Sequence, residues 1–343
     1  MLTIHNSADI KKIASRLLEN EMYTDRLFIK RLSGGGNNKS YLVKIEDNKY
    51  FLKHYFKDSN KYSRLSVEYS FLSFAWNNGI FCVPKPINSD NQCGIGIYEY
   101  INGKKLKKNE IKQNEIQQAL DFIVALNEKK CLMKAGNLSI ASDASFSMIA
   151  YIRSVENRIS KLKSFNANDG IDFEVKQFIN KDLAPKWNEV KHSIFIKLKR
   201  EGTLLKKIQI SDRILSPSDF GFHNALVQMN HQIKFIDFEY AGWDDPAKLV
   251  CDFFSQPAVP VSMDYFDTFL QEISNITKDP QATIYRVYVL LPLVQIKWCC
   301  IILNCFVIAF QARKNFACVI TNKYRSAQLK KAKKIIGVMN DAS

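Results

Sequence analysis

The sequence lacks the cysteine pairs that are typical of zinc sites. Its eight cysteines form no C-x-x-C pair, and most of them lie among apolar residues. Structural zinc sites need thiolates clustered at short, repeated spacing. We therefore predict that the cysteines are buried, reduced thiols, as expected in a reducing compartment.

The sequence also lacks a signal peptide pattern and an uninterrupted apolar run. Near the N-terminus, Ser7 is a candidate helix N-cap, and Ile10 and Leu17 lie on one face of an ordinary amphipathic helix. A membrane span needs about 20 largely apolar residues, and the most apolar stretch, residues 287–310, is interrupted by residues such as Lys297. We predict a buried core helix there, no membrane span and a cytoplasmic protein.

The sequence has fewer acidic than basic residues. It contains 34 Asp and Glu against 49 Lys and Arg, which gives a net charge of +15. Residues 104–207 contain 21 basic and 12 acidic residues, and residues 313–334 contain eight basic residues and no acidic one. No helix-turn-helix, zinc-finger or aromatic RNA-binding motif accompanies this charge. We predict that the basic C-terminal segment is the solvated face of a helix and that the protein binds no nucleic acid. A basic protein associated with nucleic acid is the alternative.

The order of the predicted elements indicates an α+β protein with two lobes. The 46% of hydrophobic residues is that of a globular chain. Residues 28–101 contain short β-rich runs separated by turns, with one helical pattern between them, and long helical patterns dominate from residue 102 onward. We predict a small N-terminal lobe, residues 1–101, with an antiparallel sheet and a helix, and a larger, mostly helical lobe, residues 102–343.

A glycine-rich loop lies between the first two β-rich runs. It consists of Ser33 followed by Gly34, Gly35 and Gly36. Glycine lets a backbone approach a phosphate closely, but the loop completes neither the Walker A pattern nor G-x-G-x-x-G. A nucleotide-binding loop and a plain hairpin turn are both consistent with it.

Lys53 and Glu68 are a candidate ion pair. Lys53 lies in the third β-rich run between aromatic residues, and Glu68 lies among apolar positions of the next helix. Such a pair would direct the ammonium group at a phosphate. The alternative is a lysine on an edge strand that faces water.

The segment "SDFGFHNALVQMNHQIKFIDFE" places polar residues in apolar, strand-like material. Asp219 and Asn224 are separated by four residues, and Asp237 follows a strand–turn–strand pattern that should return the chain to Asn224. Oxygen ligands of this kind suit Mg²⁺. The alternative is three separate capping or turn residues. Because burying an unpartnered carboxylate is costly, the sequence favours a magnesium site.

These residues together resemble the aminoglycoside phosphotransferase and choline kinase superfamily, the small-molecule kinases of the protein-kinase-like fold. That superfamily carries H-G-D-x-x-x-x-N, then I-D-[WF]-E-x-A, then G-D-P and a later aspartate. The segments "PSDFGFHN", "FIDFEYAG" and "DDP" match in that order, followed by Asp252. The glycine loop, the Lys53 and Glu68 pair and "IYEYING" precede them, so the likeness spans residues 28–254. Pro217 and Ser218 depart from the pattern, which has histidine and glycine there.

The resemblance implies a role for each matching residue. Asp219 would be the catalytic base that orients the acceptor hydroxyl and takes its proton. Asn224 and Asp237 would hold Mg²⁺. Lys53, held by Glu68, would contact the α- and β-phosphates of a nucleotide.

The resemblance also implies supporting roles. The backbone of the linker would bind the nucleotide base, through Glu99, Tyr100 and Ile101. Asp252 would brace the catalytic loop, and Glu239 would either support the metal or form a surface ion pair. His223 is expected to pack away from the site.

We therefore predict a kinase that uses Mg²⁺ and ATP or GTP to phosphorylate a hydroxyl group of a small molecule. The basic insert between residues 104 and 207, where acceptor contacts are expected, would attract a neutral or anionic acceptor such as a sugar, a sugar phosphate or another small alcohol. Aminoglycoside, choline or ethanolamine kinases are alternatives. A protein kinase is another, although protein kinases usually carry D-F-G and A-P-E segments and "IDFEYAGWDDP" has neither. A nucleotide-binding pseudoenzyme is the alternative outside enzymes.

Overall fold

The protein is described by a computed structural model that covers residues 7–18, 27–33, 37–56, 63–307, 315–317 and 320–341. Its internal contacts define two units. Unit 1 comprises Met1–Ser142, Pro217–Gly242 and Phe316–Cys318. Unit 2 comprises Asp143–Ser216, Trp243–Asn315 and Val319–Ser343. The lobe boundary after residue 101 stays a prediction.

Ten strands and eleven helices occur in the described residues, and the fold is α+β, as predicted. The strands are β1 Phe28–Leu32, β2 Lys39–Ile45, β3 Asn48–His54, β4 Pro86–Asp90, β5 Ile95–Glu99, β6 Lys104–Lys105, β7 Ile214–Ser216, β8 Ala225–Val227, β9 Ile233–Phe235 and β10 Gly242–Asp244. The helices are α1 Ser7–Leu17, α2 Arg64–Asn77, α3 Gln113–Leu126, α4 Lys129–Leu132, α5 Met148–Ser164, α6 Gly170–Phe178, α7 Ala184–Arg200, α8 Pro246–Ser255, α9 Phe266–Asn275, α10 Pro280–Ile302 and α11 Asn322–Asp341.

The first five strands form one antiparallel sheet in unit 1, in the order β1-β2-β3-β5-β4. Its buried face includes Val43 and Leu52, which pack with Ile10 and Ile13 of α1. The antiparallel sheet and the amphipathic first helix that the sequence predicts are both confirmed. The fourth strand begins at Pro86, and its pairing with β5 is irregular between Pro86 and Asn88, because proline cannot donate a ladder hydrogen bond.

Helix α2 lies between β3 and β4 along the chain and contacts β4 and β5. Ser63 caps its N-terminus by accepting a hydrogen bond from the Ser66 N–H. Leu65 and Phe71 are buried, and Glu68 is buried among them. The helix therefore holds a carboxylate in an apolar setting, where a partner is required.

A second small sheet in unit 1 has the order β6-β8-β9. The β8–β9 hairpin pairs Ala225 with Phe235. Beyond this pair, the Ile236 N–H donates to the Asn224 carbonyl at 2.9 Å. The hairpin therefore returns the chain to Asn224, as the strand–turn–strand pattern predicts.

Unit 2 is mostly helical and includes the most apolar stretch of the sequence. Among the described residues, one helical stretch, Pro280–Phe306, is long and apolar enough to cross a membrane, and 67% of its most apolar window is buried within the structure. It contacts α8, α11 and α5. The helix occupies the position of a core helix, and the cytoplasmic location stays a prediction.

Helices α6 and α7 of unit 2 follow each other without a loop. The segment from residue 172 to residue 202 contains a π-helical turn, Ile179–Leu183, between α6 and α7. Pro185 follows directly at the start of α7. Because proline has no N–H, the regular i to i−4 bonding cannot continue through it, and a π turn absorbs the mismatch.

The structure agrees with two further predictions, that the basic C-terminal segment is a helix with a solvated face and that the cysteines are mostly buried. Helix α11 buries Leu329 and Ala332, while the lysines between and beyond them are exposed. The seven cysteines of the described residues are free, and six of them are buried. Cys318 lies outside the described residues.

Candidate active site

Residues 217–224, which we call the catalytic loop, are anchored by two buried phenylalanines. Phe220 and Phe222 are almost fully buried, and Phe220 packs against Phe122 of α3 and Phe235 of β9. Directly before these anchors, the Asp219 side chain stays one-third exposed. The loop thus presents a carboxylate to solvent from a rigid base.

Asn224 is bonded directly to Asp219. Its Nδ2 group donates to the Asp219 backbone carbonyl at 3.0 Å and to Asp219 Oδ2 at 3.3 Å. Both contacts use the amide nitrogen, so the amide oxygen can serve as a metal ligand. The structure therefore brings together two of the predicted site residues.

His223 contacts Asp219 and does not pack away from it as expected. Its Nε2 atom lies 3.1 Å from Asp219 Oδ1. A 3₁₀ turn at Phe222–Asn224 brings the residue four positions after Asp219 back toward it. Sequence reasoning missed this contact because the tight turn is not visible in the residue pattern.

Asp237 follows β9 and has a left-handed backbone conformation, with φ of +70°. Its Oδ1 atom accepts a hydrogen bond from the Lys53 ammonium group. The preceding residue, Ile236, donates its N–H to the carbonyl of Asn224 in the catalytic loop. Asp237 is therefore adjacent in sequence to a residue that is bonded to this loop. Non-glycine residues seldom adopt this conformation, and such strain is common at functional sites.

Lys53 and Glu68 form the predicted ion pair. Lys53 Nζ lies 2.7 Å from Glu68 Oε2, and the Phe238 N–H donates to the other Glu68 oxygen at 3.2 Å. Lys53 does not lie on an edge strand, because β3 is paired on both sides. Burial alone would lower the pKa of Lys53, but the carboxylates of Asp237 and Glu68 outweigh it and raise the pKa well above its usual value.

Two buried tyrosines complete this pair. The Tyr55 hydroxyl donates to Glu68 Oε2 at 2.6 Å and lies 2.7 Å from the Tyr98 hydroxyl. Burial and the nearby Glu68 carboxylate raise the pKa of both tyrosines well above the usual value. Neither residue was singled out from the sequence, where tyrosines in strands are too common to be informative.

Glu239 is buried, so it does not form the surface ion pair that was one of its two predicted roles. Asn38 Nδ2 donates to it at 2.8 Å, and Arg64 Nη1 lies 3.7 Å from its other oxygen. Asn38 also accepts a hydrogen bond from the Phe56 N–H at 3.2 Å. Glu239 therefore ties the segment after Asp237 to the start of β2 and to α2.

The other residues predicted to contact the nucleotide lie in the glycine-rich loop and in the linker, and the structure describes only some of them. Gly34, Gly35 and Gly36 lie outside the described residues, and Ser33 directly follows β1. Within the linker, the Glu99 N–H donates to the Lys85 carbonyl at 2.8 Å. Tyr100 is partly buried and Ile101 is buried. The base-binding role of Glu99, Tyr100 and Ile101 stays a prediction.

The side chains of Asn224 and Asp237 fit Mg²⁺ better than a transition metal. Within the described part of the chain, no group of three or more His, Cys, Asp or Glu side chains is arranged to hold a metal. Mg²⁺ is usually bound through one or two carboxylates together with waters and substrate phosphates. An amide oxygen and one carboxylate meet that need.

Asp252 is part of a buried charge network inside unit 2. Lys297 Nζ lies 2.7 Å from its Oδ1 atom, and Lys248 Nζ lies 3.3 Å from its Oδ2 atom. The Trp298 indole N–H also donates to it at 2.8 Å. These contacts make Asp252 a structural carboxylate of unit 2, and its action on the catalytic loop stays a prediction.

Comparison with known proteins supports the resemblance that the sequence motifs indicate. Residues 29–129 match the model of the phosphotransferase enzyme family. In its fold, the chain is similar to the aminoglycoside phosphotransferases and choline kinases. The predicted resemblance is confirmed, in agreement with the small-molecule kinase that the sequence predicts. No curated protein sequence matches the chain.

Solved structures of this superfamily match nearly the whole chain. An ethanolamine kinase from Plasmodium vivax is 16% identical, with a TM-score of 0.58, over 96% of this chain and 89% of that one. The choline kinase LicA from Streptococcus pneumoniae is 18% identical, with a TM-score of 0.56, over 96% and 98%. A spectinomycin phosphotransferase bound to AMP is 13% identical, with a TM-score of 0.60, over 90% and 92%. At these identities the likeness establishes the kinase fold of the superfamily.

Proposed function

We propose that the protein is a small-molecule kinase that transfers the γ-phosphate of ATP or GTP to a hydroxyl group. The observation that carries this proposal is the Lys53 ammonium group, which bonds both Glu68 and Asp237 in a buried setting. A lysine held by a helix carboxylate and placed beside a candidate magnesium ligand is the arrangement that phosphoryl transfer uses.

The chemistry follows from positioning and charge. Phosphoryl transfer has a loose transition state, so a protein accelerates it mainly by aligning the reactants and neutralising phosphate charge. Lys53 would bind phosphate oxygens, and Asp219 would orient the acceptor hydroxyl and accept its proton. When bound by Asn224 and Asp237, Mg²⁺ would supply further positive charge at the phosphates.

The His223 and Asn224 contacts support Asp219 as the base. Asn224 bonds the Asp219 backbone and His223 bonds one carboxylate oxygen, so the carboxylate is held from two sides. A base fixed in this way is prepared for a hydroxyl without rearrangement.

The acceptor that we propose is a neutral or anionic small alcohol. The excess of basic residues between residues 104 and 207 would attract such a molecule and repel a polycation over long range. Amino alcohols and aminoglycosides are the second candidate, since the similar structures are named as ethanolamine, choline and spectinomycin kinases.

A nucleotide-consumption screen tests the proposal. Purified protein is incubated with ATP or GTP and with sugars, sugar phosphates, amino alcohols or aminoglycosides, with Mg²⁺ or with a chelator. We expect Mg²⁺-dependent release of the nucleoside diphosphate with at least one acceptor. Nucleotide binding without consumption across the panel would instead favour a pseudoenzyme, and the absence of both would contradict the proposal.

A further inference from the structure

Strand β6 places Lys105 beside the catalytic loop. It pairs antiparallel with β8, so that Lys105 lies opposite Leu226. The close approach depends on Gly103, where an added Cβ would lie 2.9 Å from the Val227 carbonyl oxygen. Strand β8 begins directly after Asn224, so β6 runs next to one candidate metal ligand.

The Lys105 side chain turns toward the loop. Its ammonium group donates to the His223 backbone carbonyl at 2.7 Å. An ammonium group has three donors, so this bond can coexist with further ones. Successive residues of a strand point to opposite faces, and the neighbouring Lys104 therefore faces away from this contact.

The electrostatics of Lys105 connect it to Asp237. Partial desolvation by the surrounding protein lowers the pKa of Lys105, while the Asp237 carboxylate opposes this shift. Lys105 therefore senses the same carboxylate that Lys53 bonds. Lys53 thus bonds this candidate metal ligand directly, and Lys105, from a different sheet, interacts with it electrostatically.

Charge balance gives Lys105 a role in the proposed reaction. A nucleoside triphosphate brings several negative charges to a site that already contains the Asp219 and Asp237 carboxylates. Lys53 and one Mg²⁺ do not neutralise all of these charges, and a poorly neutralised site binds triphosphates weakly. A further cation beside the loop would meet this need.

We propose that Lys105 is a second phosphate-binding lysine, which contacts the terminal phosphates of the nucleotide from the side of the catalytic loop. This inference rests on the proposed kinase function and deepens it. Sequence reasoning missed Lys105 because it lies in the lysine-rich segment "GKKLKKNE", where a single lysine does not stand out. The contact to His223 and the β6–β8 pairing distinguish it there.

The test compares charge with hydrogen bonding. Lys105→Gln keeps a donor for the His223 carbonyl but removes the charge, Lys105→Arg keeps the charge, and Lys104→Gln is the matched control on the opposite face. Binding of Mg²⁺–ATP and of AMP is measured by calorimetry. We expect Lys105→Gln to weaken Mg²⁺–ATP binding about tenfold, with AMP binding within twofold of the parent protein. Lys105→Arg should recover most of the loss, and Lys104→Gln should bind both nucleotides like the parent.

Two outcomes would overturn the inference. If Lys105→Gln binds Mg²⁺–ATP as tightly as the parent, or weakens ATP and AMP equally, Lys105 only braces the loop. In that case, acceptor phosphorylation by the parent protein would leave the proposed function standing. If the parent protein binds neither nucleotide, the proposed function fails and the role of Lys105 fails with it.

Discussion

Two residues of the candidate active site, Ser218 and Asp237, have left-handed backbone conformations, with φ of +66° and +70°. A residue with a Cβ is disfavoured there by about 1–2 kcal/mol relative to glycine. At the position of Ser218 the superfamily pattern has glycine. The departure is visible in the sequence, but its energetic cost appears only once the backbone angle is known.

The cost at Ser218 can be measured by comparing two substitutions that both remove the hydroxyl group. Only Ser218→Gly removes the Cβ as well. We expect Ser218→Gly to be more stable than Ser218→Ala by about 1 kcal/mol, measured as the free energy of unfolding in urea. Equal stability of the two variants would show that residue 218 is not left-handed in solution.

At the same scale, sequence spacing identified some site residues and missed others. Asp219, Asn224 and Asp237 could be predicted because one hairpin connects them and their residue types suit a metal. His223 and Lys105 could not, because a 3₁₀ turn and a strand pairing between distant segments bring them to the loop. Neither leaves a periodic pattern in the sequence.

At the scale of elements, α2 and β3 position the ion pair that supports the proposed function. The carboxylate of Glu68 and the ammonium group of Lys53 come from different elements and meet in a buried setting. The sequence predicted both elements, β3 as a β-rich run between turns and α2 as a helical pattern of apolar residues. The two tyrosines beside the pair could not be predicted, since hydroxyl partners depend on how the sheet packs on α2.

Removing the charge of Glu68 tests this coupling. Glu68→Gln preserves the shape of the side chain but weakens its hold on Lys53. We expect turnover to fall about a hundredfold, because the ammonium group loses its fixed position. The control is Glu174→Gln, an exposed position on α6, which should turn over like the parent. Turnover of Glu68→Gln within twofold of the parent would exclude a catalytic need for the pair.

The buried Lys53, Tyr55 and Tyr98 predict a loss of stability at alkaline pH. Their pKa values in the folded protein exceed the usual 10.5 for lysine and 10.0 for tyrosine. The folded state therefore retains protons that the unfolded state releases, so stability is full below about pH 10 and is lost as the pH rises through the folded pKa values. Each group adds a slope of about 1.4 kcal/mol per pH unit.

Tyr55→Phe checks this linkage, because it removes one of the three groups. The free energy of unfolding in urea is measured from about pH 8 to about pH 11, in steps of about half a pH unit. We expect the free energy of unfolding to fall less steeply with pH in Tyr55→Phe, by about one group's slope. An unchanged slope would mean that Tyr55 ionises in the folded protein as easily as in the unfolded chain.

At the scale of the whole molecule, the net charge of +15 follows directly from the sequence, whereas the division into two units does not. The order of elements predicted an α+β fold with two lobes, and the resemblance of the motifs implied the kinase fold. The set of chain segments that forms unit 1 could not be predicted, because residues 217–242 and 316–318 join the first 142 residues in this unit. Contacts between segments so far apart along the chain have no local signal, whereas charge is additive and can be counted from the sequence.

The basic charge predicts acceptor preference. In a kinase assay at low salt, neutral sugars or sugar phosphates should give a higher kcat/KM than kanamycin-type polycations, and added salt should reduce the difference. Equal turnover of both classes, or a preference for the polycation, would contradict the proposed steering and favour an aminoglycoside or amino alcohol kinase.

The most direct test of the proposed function separates the base from the metal ligand. Transfer of label from γ-labelled ATP to an acceptor, and binding of Mg²⁺–ATP, are measured for the parent protein, Asp219→Asn and Asp237→Ala. We expect the parent to form labelled product. Asp219→Asn should lose about 10²–10⁴-fold in turnover while binding Mg²⁺–ATP normally, and Asp237→Ala should lose Mg²⁺–ATP binding itself. Unchanged transfer by Asp219→Asn would contradict the assignment of the catalytic base.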